Sequence, residues 1–213
     1  MRRRTSSLPS PAGLAQRLRQ GTQDLHHEAE RSGLMRGLLR GQLTIPAYAV
    51  LLHNLLQIYT ALETGLARQA GAVDIDFTPL YRRRALVEDL RALDAGRPLP
   101  IAPATSRLVE RLQWLSDNDS PLLMAHAYVR YLGDLHGGQL MRDRVARSLG
   151  LADTARGMHF YHFGPPAQVD ALISMLRSGL DALPVDDEQA DALVAEARLG
   201  FQHHVDLFRQ LPH

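Results

Sequence analysis

Three glycines lie close together in a stretch that otherwise has helical periodicity: Gly133, Gly137 and Gly138. Each costs about 1 kcal/mol relative to alanine in a helix interior, which is a large sum against a total stability of roughly 5 to 15 kcal/mol. Gly133 and Gly137 are four residues apart and share a face, where the missing side chains leave a trough for a large planar ring. A helix kink or a close helix crossing would explain the same glycines.

A carboxylate lies at the edge of this trough. Asp134 follows Gly133, and Arg130 lies four residues earlier, so the two side chains can pair directly or through water. Such a pair keeps a carboxylate near a ligand without leaving a buried charge uncompensated. An ordinary surface ion pair would have the same spacing, so both interpretations remain open at this point.

Two adjacent histidines, His26 and His27, lie near the end of a predicted amphipathic helix. At about 100° per residue from Leu18, His26 lies at about 80° and borders the apolar face, whereas His27 lies at about 180° and points to solvent. Glu30, one turn after His26, could accept a hydrogen bond from its distal ring nitrogen, as a metal-binding histidine requires. His26 is therefore the candidate metal ligand, although a histidine in such a position is more often an ordinary core or surface residue.

Other kinds of site have little support. His159 and His162 lack a nearby carboxylate, and the adjacent His203 and His204 would face different directions on a helix. The absence of cysteine excludes disulfides, thiolate ligands and a cysteine nucleophile. The sequence also has no phosphate-binding glycine loop, dinucleotide fingerprint or serine nucleophile elbow.

The composition indicates a soluble protein with balanced charge. The chain has 24 basic and 23 acidic residues, without the excess of positive charge that is typical of nucleic-acid-binding proteins. We see no apolar run near the roughly 18 residues that span a bilayer, and the basic start leads into serine and proline rather than an apolar signal core. We therefore expect a cytoplasmic protein without a nucleic-acid partner or membrane anchor. Residues 1–12 would be a flexible basic tail and residues 13–213 a single domain.

The elements that carry these residues are predicted to be helices throughout. Apolar residues recur at helical spacing along almost the whole chain, which predicts an all-α fold. Proline at a first helical turn and glycine near helix ends define most boundaries. We predict helices over residues 11–30, 45–71, 82–93, 104–115, 122–149, 167–183 and 186–210, with a turn at 32–33 and loops at 72–79 and 95–100.

Two segments resemble one known family. Residues Ala125–Gln139, reading AHAYVRYLGDLHGGQ, resemble the distal helix of the haem oxygenases, and Thr22–Glu30, reading TQDLHHEAE, resembles their proximal helix. Tyr59–Glu63 and Phe201–Phe208 are also similar to family segments. The resemblance runs from about residue 14 to residue 211.

The resemblance implies an all-helical enzyme that holds haem b between these two helices. With O2 and electrons from an external donor, such an enzyme converts haem to biliverdin, ferrous iron and carbon monoxide. His26 stands where the family has its axial iron ligand, which leaves the other axial position open. Gly133, Gly137 and Gly138 would let the distal helix approach the haem, and Glu30 and Phe201 would belong to the haem pocket.

The resemblance also assigns roles to polar residues. Asp134 would anchor water that controls protonation of the activated oxygen, with Arg130, Tyr59 and His204 extending the water network.

Three further residues, Arg19, Tyr128 and Arg177, match the positions that bind the two haem propionates. These contacts fix the rotation of haem in its plane and thereby the carbon that is oxidised. Because Tyr128 and Arg177 are kept, we expect the α isomer, biliverdin IXα.

Three positions depart from the family pattern. His136 stands where the family usually has serine, and Gln23 and Ile173 stand where many members have lysines that face the propionates. His136 could join the distal water network or compete for the sixth iron position. The lost lysines make the product isomer harder to predict than the reaction.

The electron donor must be a separate protein, since the sequence has no reductase motif; a ferredoxin or a flavoprotein reductase would serve. A biliverdin-accepting protein is a further candidate partner. Two other functions remain open from the sequence: a haem-binding carrier or sensor without turnover, and a related helical enzyme acting on another small cofactor.

Overall fold

The fold is described here from a computed structural model that covers residues 13–94, 98–151 and 157–212, and its regular structure within those ranges is helical. This confirms the all-α prediction. The α-helices are α1 (Leu14–Arg31), α2 (Gly33–Leu39), α3 (Ile45–Arg68), α4 (Arg83–Ala92), α5 (Pro103–Asp117), α6 (Leu123–Ala127), α7 (Gly133–Leu149), α8 (Pro166–Asp181) and α9 (Asp187–Gln210).

Most predicted helices occur with small shifts at their ends. The long helix α3 ends at Arg68 rather than near Gly71, because Gly71 has a left-handed φ of 89° that ends helical geometry. The short helix α2 was not predicted, since the expected turn at residues 32–33 is only a one-residue break before it. The predicted start of α1 at residues 10–11, the tail over 1–12 and residues 95–97 of the second loop lie outside the described residues.

Side chains from the flanking turns and from other helices satisfy several helix N-termini. Asp181 of α8 accepts a hydrogen bond of 2.8 Å from the backbone N–H of Ala15 in the first turn of α1. Asp186 and Gln189 form a reciprocal capping box at the start of α9, and Thr44 caps α3. Because the first N–H groups of a helix have no partner within it, these contacts fix where the helices begin.

The buried apolar side chains form one cluster that draws on residues from Leu14 to Leu211. Helix α1 packs along α9, and α3 packs against α4 and α5. By length and composition alone α3 could cross a membrane, contrary to the expectation that the chain has no apolar run near that length. However, 61% of its apolar window is buried inside the protein, as expected for the central helix of the core.

Helix α6, a π-helical turn over Tyr128–Leu132 and helix α7 follow one another without a break, and we call this unit the glycine helix (residues 123–149). The glycines do not interrupt it. Gly133 has ordinary helical angles, φ −60° and ψ −47°, and neither Gly137 nor Gly138 has a positive φ. The irregularity lies just before them, at the π turn, a feature that often occurs at functional sites.

Candidate functional site

A cavity lies between α1 and the glycine helix and opens to solvent. It holds about 980 Å³ of space outside protein atoms, a figure that includes open solvent at its mouth. The wall is mostly apolar. It is formed by His26, Ala29, Glu30, Met35, Leu39, Leu51, Leu55, Val129, Arg130, Gly133, Asp134, Gly137, Gly138, Leu140, Met141, Phe160, Tyr161, Phe201, His204 and Phe208.

His26 contributes a ring to the α1 side of the cavity, and its side chain is 49% exposed. Its Nδ1 lies 3.8 Å from Glu30 Oε1, an ion-pair distance that is too long for a direct hydrogen bond. Because Nδ1 faces Glu30, Nε2 is the ring nitrogen left for a metal in the cavity. His27, whose Nδ1 lies 3.6 Å from the other Glu30 oxygen, is not part of the cavity wall.

Gly133, Gly137 and Gly138 line the side of the cavity that belongs to the glycine helix. A Cβ atom built on Gly133 would meet no atom within 4 Å, and one on Gly137 would only touch Met141 Cγ at 3.9 Å. Gly138 differs, because its Cβ would lie 3.3 Å from the backbone oxygen of Tyr161, so it permits close packing of a neighbouring segment. Gly133 and Gly137 therefore leave open space where any other residue would place a side chain.

Asp134 has a partner on each carboxylate oxygen. Arg130 Nη2 donates to Asp134 Oδ1 at 2.7 Å, and the Tyr59 hydroxyl donates to Oδ2. Arg130 Nε also donates to the Tyr59 hydroxyl oxygen at 3.2 Å. Tyr59 is buried behind the cavity wall, between the rings of Tyr131 and Phe160. Arg130 and Asp134, four residues apart, thus form an ion pair in the cavity wall.

Only 12% of the Arg130 side chain and 11% of the Asp134 side chain are exposed to solvent. Burial raises the pKa of Asp134 well above its ordinary value and lowers the pKa of Arg130 to about 10. The ion pair between them favours both charged forms and so opposes these shifts. Burial also raises the pKa of Tyr161, the neighbouring hydroxyl on the wall. Asp134 therefore binds a proton more readily than an aspartate side chain in water does.

His204 of α9 brings an unused acceptor to the same wall. Its Nδ1 donates to the Gly200 carbonyl at 2.7 Å, so in the neutral ring Nε2 is an acceptor. This Nε2 is buried and has no hydrogen-bond partner in the described part of the chain. Burial, with the nearby charge of Arg130, lowers the pKa of His204 well below its ordinary value, so the ring is neutral.

Some wall residues were not predicted from the sequence. Phe160 and Tyr161 belong to a non-helical segment after α7, which has no periodicity to indicate a site. Met35 lies on the unpredicted helix α2, and Met141 follows the glycines by one turn. Flexible methionines are common where a surface must adapt to a ligand, but no spacing rule marks them in advance.

The three predicted propionate residues lie together but outside the cavity wall. Arg19 of α1 and Arg177 of α8 are exposed. Both are close enough to Tyr128 to lower the pKa of its hydroxyl, although burial has the larger effect and raises it. We call Arg19, Tyr128 and Arg177 the basic rim.

His136 does not point into the cavity. Its Nδ1 contacts the Leu132 carbonyl oxygen at 2.6 Å and its Nε2 contacts Arg177 Nη2 at 3.1 Å. It is absent from the cavity wall. In this arrangement the ring of His136 does not line the cavity in which either expected role would place it.

The cavity fits a flat, metal-containing group. One side offers a nitrogen ligand, His26, and the opposite side is a strip without side chains at Gly133 and Gly137. The buried, unpartnered Nε2 of His204 indicates that a polar group or water belongs in the cavity.

Comparisons with known proteins agree on one family. The family model described as "Heme oxygenase" matches residues 12–210. A heme oxygenase of Porphyra purpurea is 34% identical over 206 residues, covering 94% of this chain and 87% of that protein. The structure of heme oxygenase from Leptospira interrogans is 34% identical with a TM-score of 0.87, covering 94% of this chain and 100% of that chain. Heme oxygenase-2 from Synechocystis, in complex with heme and NO, is 31% identical with a TM-score of 0.88, covering 93% and 85%.

Proposed function

The chain belongs to the haem oxygenase family, whose members degrade haem, and we propose that the cavity between α1 and the glycine helix is where it binds haem and opens the ring. The observation that carries this proposal is the pairing of His26 on one side with the side-chain-free strip at Gly133 and Gly137 on the other. When bound, haem would supply the iron that activates O2 and the ring that, with electrons from an external donor, is opened to biliverdin with release of carbon monoxide and ferrous iron.

His26 holds the iron through Nε2 in this proposal. Glu30 faces Nδ1 and favours the tautomer with the proton on that nitrogen, which leaves the lone pair of Nε2 for the metal. Phe201, with its ring centroid 5.9 Å from that of His26 in an edge-on arrangement, limits how far the imidazole can turn. The strip at Gly133 and Gly137 would lie on the other side of the bound group and would limit the space available to O2 there.

Asp134 controls protons in the proposed mechanism. Its two oxygens are held by Arg130 and Tyr59, so the carboxyl group has a fixed orientation beside the glycine strip. Burial raises the pKa of this carboxyl group while the ion pair with Arg130 favours its charged form, so it can take up a proton from water in the cavity and return it. The free Nε2 of His204 can accept a hydrogen bond from such a water and so orient it. A directed proton supply favours oxidation of the ring over release of reduced oxygen.

The basic rim binds the propionates in this proposal. Arg19 and Arg177 supply two positive charges, and the Tyr128 hydroxyl near them can donate a hydrogen bond. The contacts would fix the rotation of haem and direct oxidation to one carbon, for which we propose the α position.

The reducing partner is proposed to be a ferredoxin or a flavoprotein reductase, in the cytoplasm. A biliverdin-accepting protein would remove the product from the cavity. Both proposals follow from the chemistry of the reaction rather than from a surface on this chain.

Haem titration followed by reduction under air tests the function. We expect a bound haem absorption band that gives way to a biliverdin spectrum when a reductant is added. His26→Ala should lose the nitrogen–iron vibration in resonance Raman spectra, whereas the matched variant His27→Ala should keep it. Intact haem under competent reduction would instead indicate a carrier or sensor, and no haem binding would indicate another cofactor.

A further inference from the structure

His136 links the glycine helix to α8. Its Nδ1 lies 2.6 Å from the carbonyl oxygen of Leu132, one turn earlier in its own helix. Its Nε2 lies 3.1 Å from Nη2 of Arg177, 41 residues later in the chain. The family usually has serine at this position, and a serine hydroxyl lies too close to its own backbone to span the same gap.

These two contacts fix the protonation of the ring. A carbonyl oxygen can only accept a hydrogen bond, so Nδ1 must carry a proton. A guanidinium group can only donate, so Nε2 must be an unprotonated acceptor. The structure therefore assigns His136 the neutral tautomer with the proton on Nδ1.

Arg177 depends on His136 for its position. In the described part of the chain neither Arg177 nor Arg19 forms an ion pair with an acidic side chain, and the contact with His136 is the one hydrogen bond recorded for the Arg177 side chain. An exposed arginine without such a contact samples many rotamers, and ordering it costs conformational entropy. Holding its guanidinium beside Tyr128 in advance reduces that cost when an anion binds.

We propose that His136 is a positioning residue that holds Arg177 at the basic rim, where it receives a haem propionate, and thereby sets the rotation of haem in its plane. The proposal rests on the proposed function for the identity of the anion. It gives His136 a role in choosing the product isomer without contact with the iron. It also supplies an ordered cation on a rim that lacks the lysines replaced by Gln23 and Ile173.

The tautomer can be measured on the haem-free protein. Long-range ¹⁵N–¹H correlation spectra distinguish a protonated Nδ1 from a protonated Nε2 in each histidine, and His136→Asn identifies the His136 signals. We expect the Nδ1-protonated pattern for His136. A ring protonated on Nε2 would be unable to accept from Arg177 and would overturn the proposal.

Two conservative variants separate the acceptor from the bulk of the ring. His136→Gln places an amide oxygen near the position of Nε2, whereas His136→Asn keeps a donor for the Leu132 carbonyl but cannot reach Arg177. We expect His136→Asn to raise the population of haem rotated in its plane away from the major position about tenfold, as for the loss of one hydrogen bond to a charged group. The haem methyl resonances of the ferric protein report this population. His136→Gln should restore the wild-type ratio, and equal behaviour of the two variants would overturn the proposal.

A double variant tests whether His136 acts through Arg177. In an Arg177→Ala background, His136→Asn should change the orientation ratio no further, because the guanidinium that it positions is gone. Additive effects would show that His136 acts elsewhere and would overturn the proposal. The orientation ratio is measured on ferric protein and requires no turnover. A wild-type protein that binds haem but forms no biliverdin would therefore refute the proposed function, while the ratio would still decide whether His136 positions Arg177.

Discussion

Asp134 shows how much of a site can follow from two residues. The spacing of Arg130 and Asp134 predicts an ion pair, and the structure has one at 2.7 Å. Whether such a pair lies on the surface or in a cavity wall depends on what covers it, which the local sequence does not determine. Tyr59 completes the site from α3, 75 residues away, and only the family resemblance placed it there.

Replacing Asp134 with asparagine should separate haem binding from catalysis. Asp134→Asn keeps the shape of the side chain but removes its ionisable proton. Because the proposed role is proton delivery to water, we expect biliverdin formation to fall by about 100-fold or more, the usual contribution of a positioned acid or base. The haem dissociation constant, measured by absorbance titration, should change by less than about threefold.

The control for this variant is Asp143→Asn on the same helix, where the carboxylate is exposed and outside the cavity wall. It should leave both quantities unchanged. Wild-type turnover by Asp134→Asn would remove Asp134 from the mechanism and leave the raised pKa as a consequence of burial alone.

At the scale of elements, the sequence predicts periodic helices well and irregular segments poorly. The caps at Thr44 and Asp186 are local, and the helices that follow them begin within one residue of the predicted starts at 45 and 186. Helix α2 and the π turn at Tyr128–Leu132 were not predicted, because seven residues carry little periodicity and a π turn inserts a single residue into an otherwise helical pattern. The glycines suggested a broken helix, but packing keeps their backbone helical and uses their missing side chains instead.

A buried charge cluster joins three helices away from the cavity. Glu196 of α9, only 3% exposed, accepts two hydrogen bonds from Arg111 of α5, at 3.0 and 2.7 Å, and contacts His126 Nε2 of α6 at 2.8 Å. Burial alone would raise the pKa of Glu196. The contacts with His126 and Arg111 outweigh that effect and lower the pKa to about 2.

Glu196 should therefore stabilise the fold in a pH-dependent way. A carboxyl group with a lowered pKa binds fewer protons in the folded state, so its contribution is complete above its unfolded pKa of about 4.5 and is lost as pH falls toward 2. At neutral pH we expect Glu196→Gln to lower the free energy of unfolding by about 3 kcal/mol. Urea denaturation from pH 7 to pH 3 should show this difference shrinking below about pH 4.5. A difference that stays constant with pH would contradict the assigned ion cluster.

At the scale of the whole molecule, the cavity is built from parts of the chain that are far apart in sequence. Its walls come from helices α1, α2, α3 and α9, from the glycine helix, and from the segment that precedes α8. Helix α1 packs along α9, and the glycine helix contacts α2, α3, α8 and α9. A ligand held by His26 and by the glycine strip would add a direct connection between α1 and the glycine helix, so ligand binding and folding stability should be coupled.

Haem should raise the melting temperature of the protein, and substitutions of Gly133 test whether it does so by binding in the cavity. At a free haem concentration of about 100 times the dissociation constant, binding adds about 2.7 kcal/mol, which corresponds to roughly 5 to 10 °C for a chain of this size.

Gly133→Leu should not destabilise the haem-free protein, because a Cβ atom there meets no atom within 4 Å and leucine favours helix over glycine by several tenths of a kcal/mol or more. The same leucine would occupy the space of the ring, so the stabilisation by haem should disappear. Gly133→Ala, which adds one methyl group, should lose only part of it, and an undiminished shift in Gly133→Leu would place haem elsewhere on the molecule.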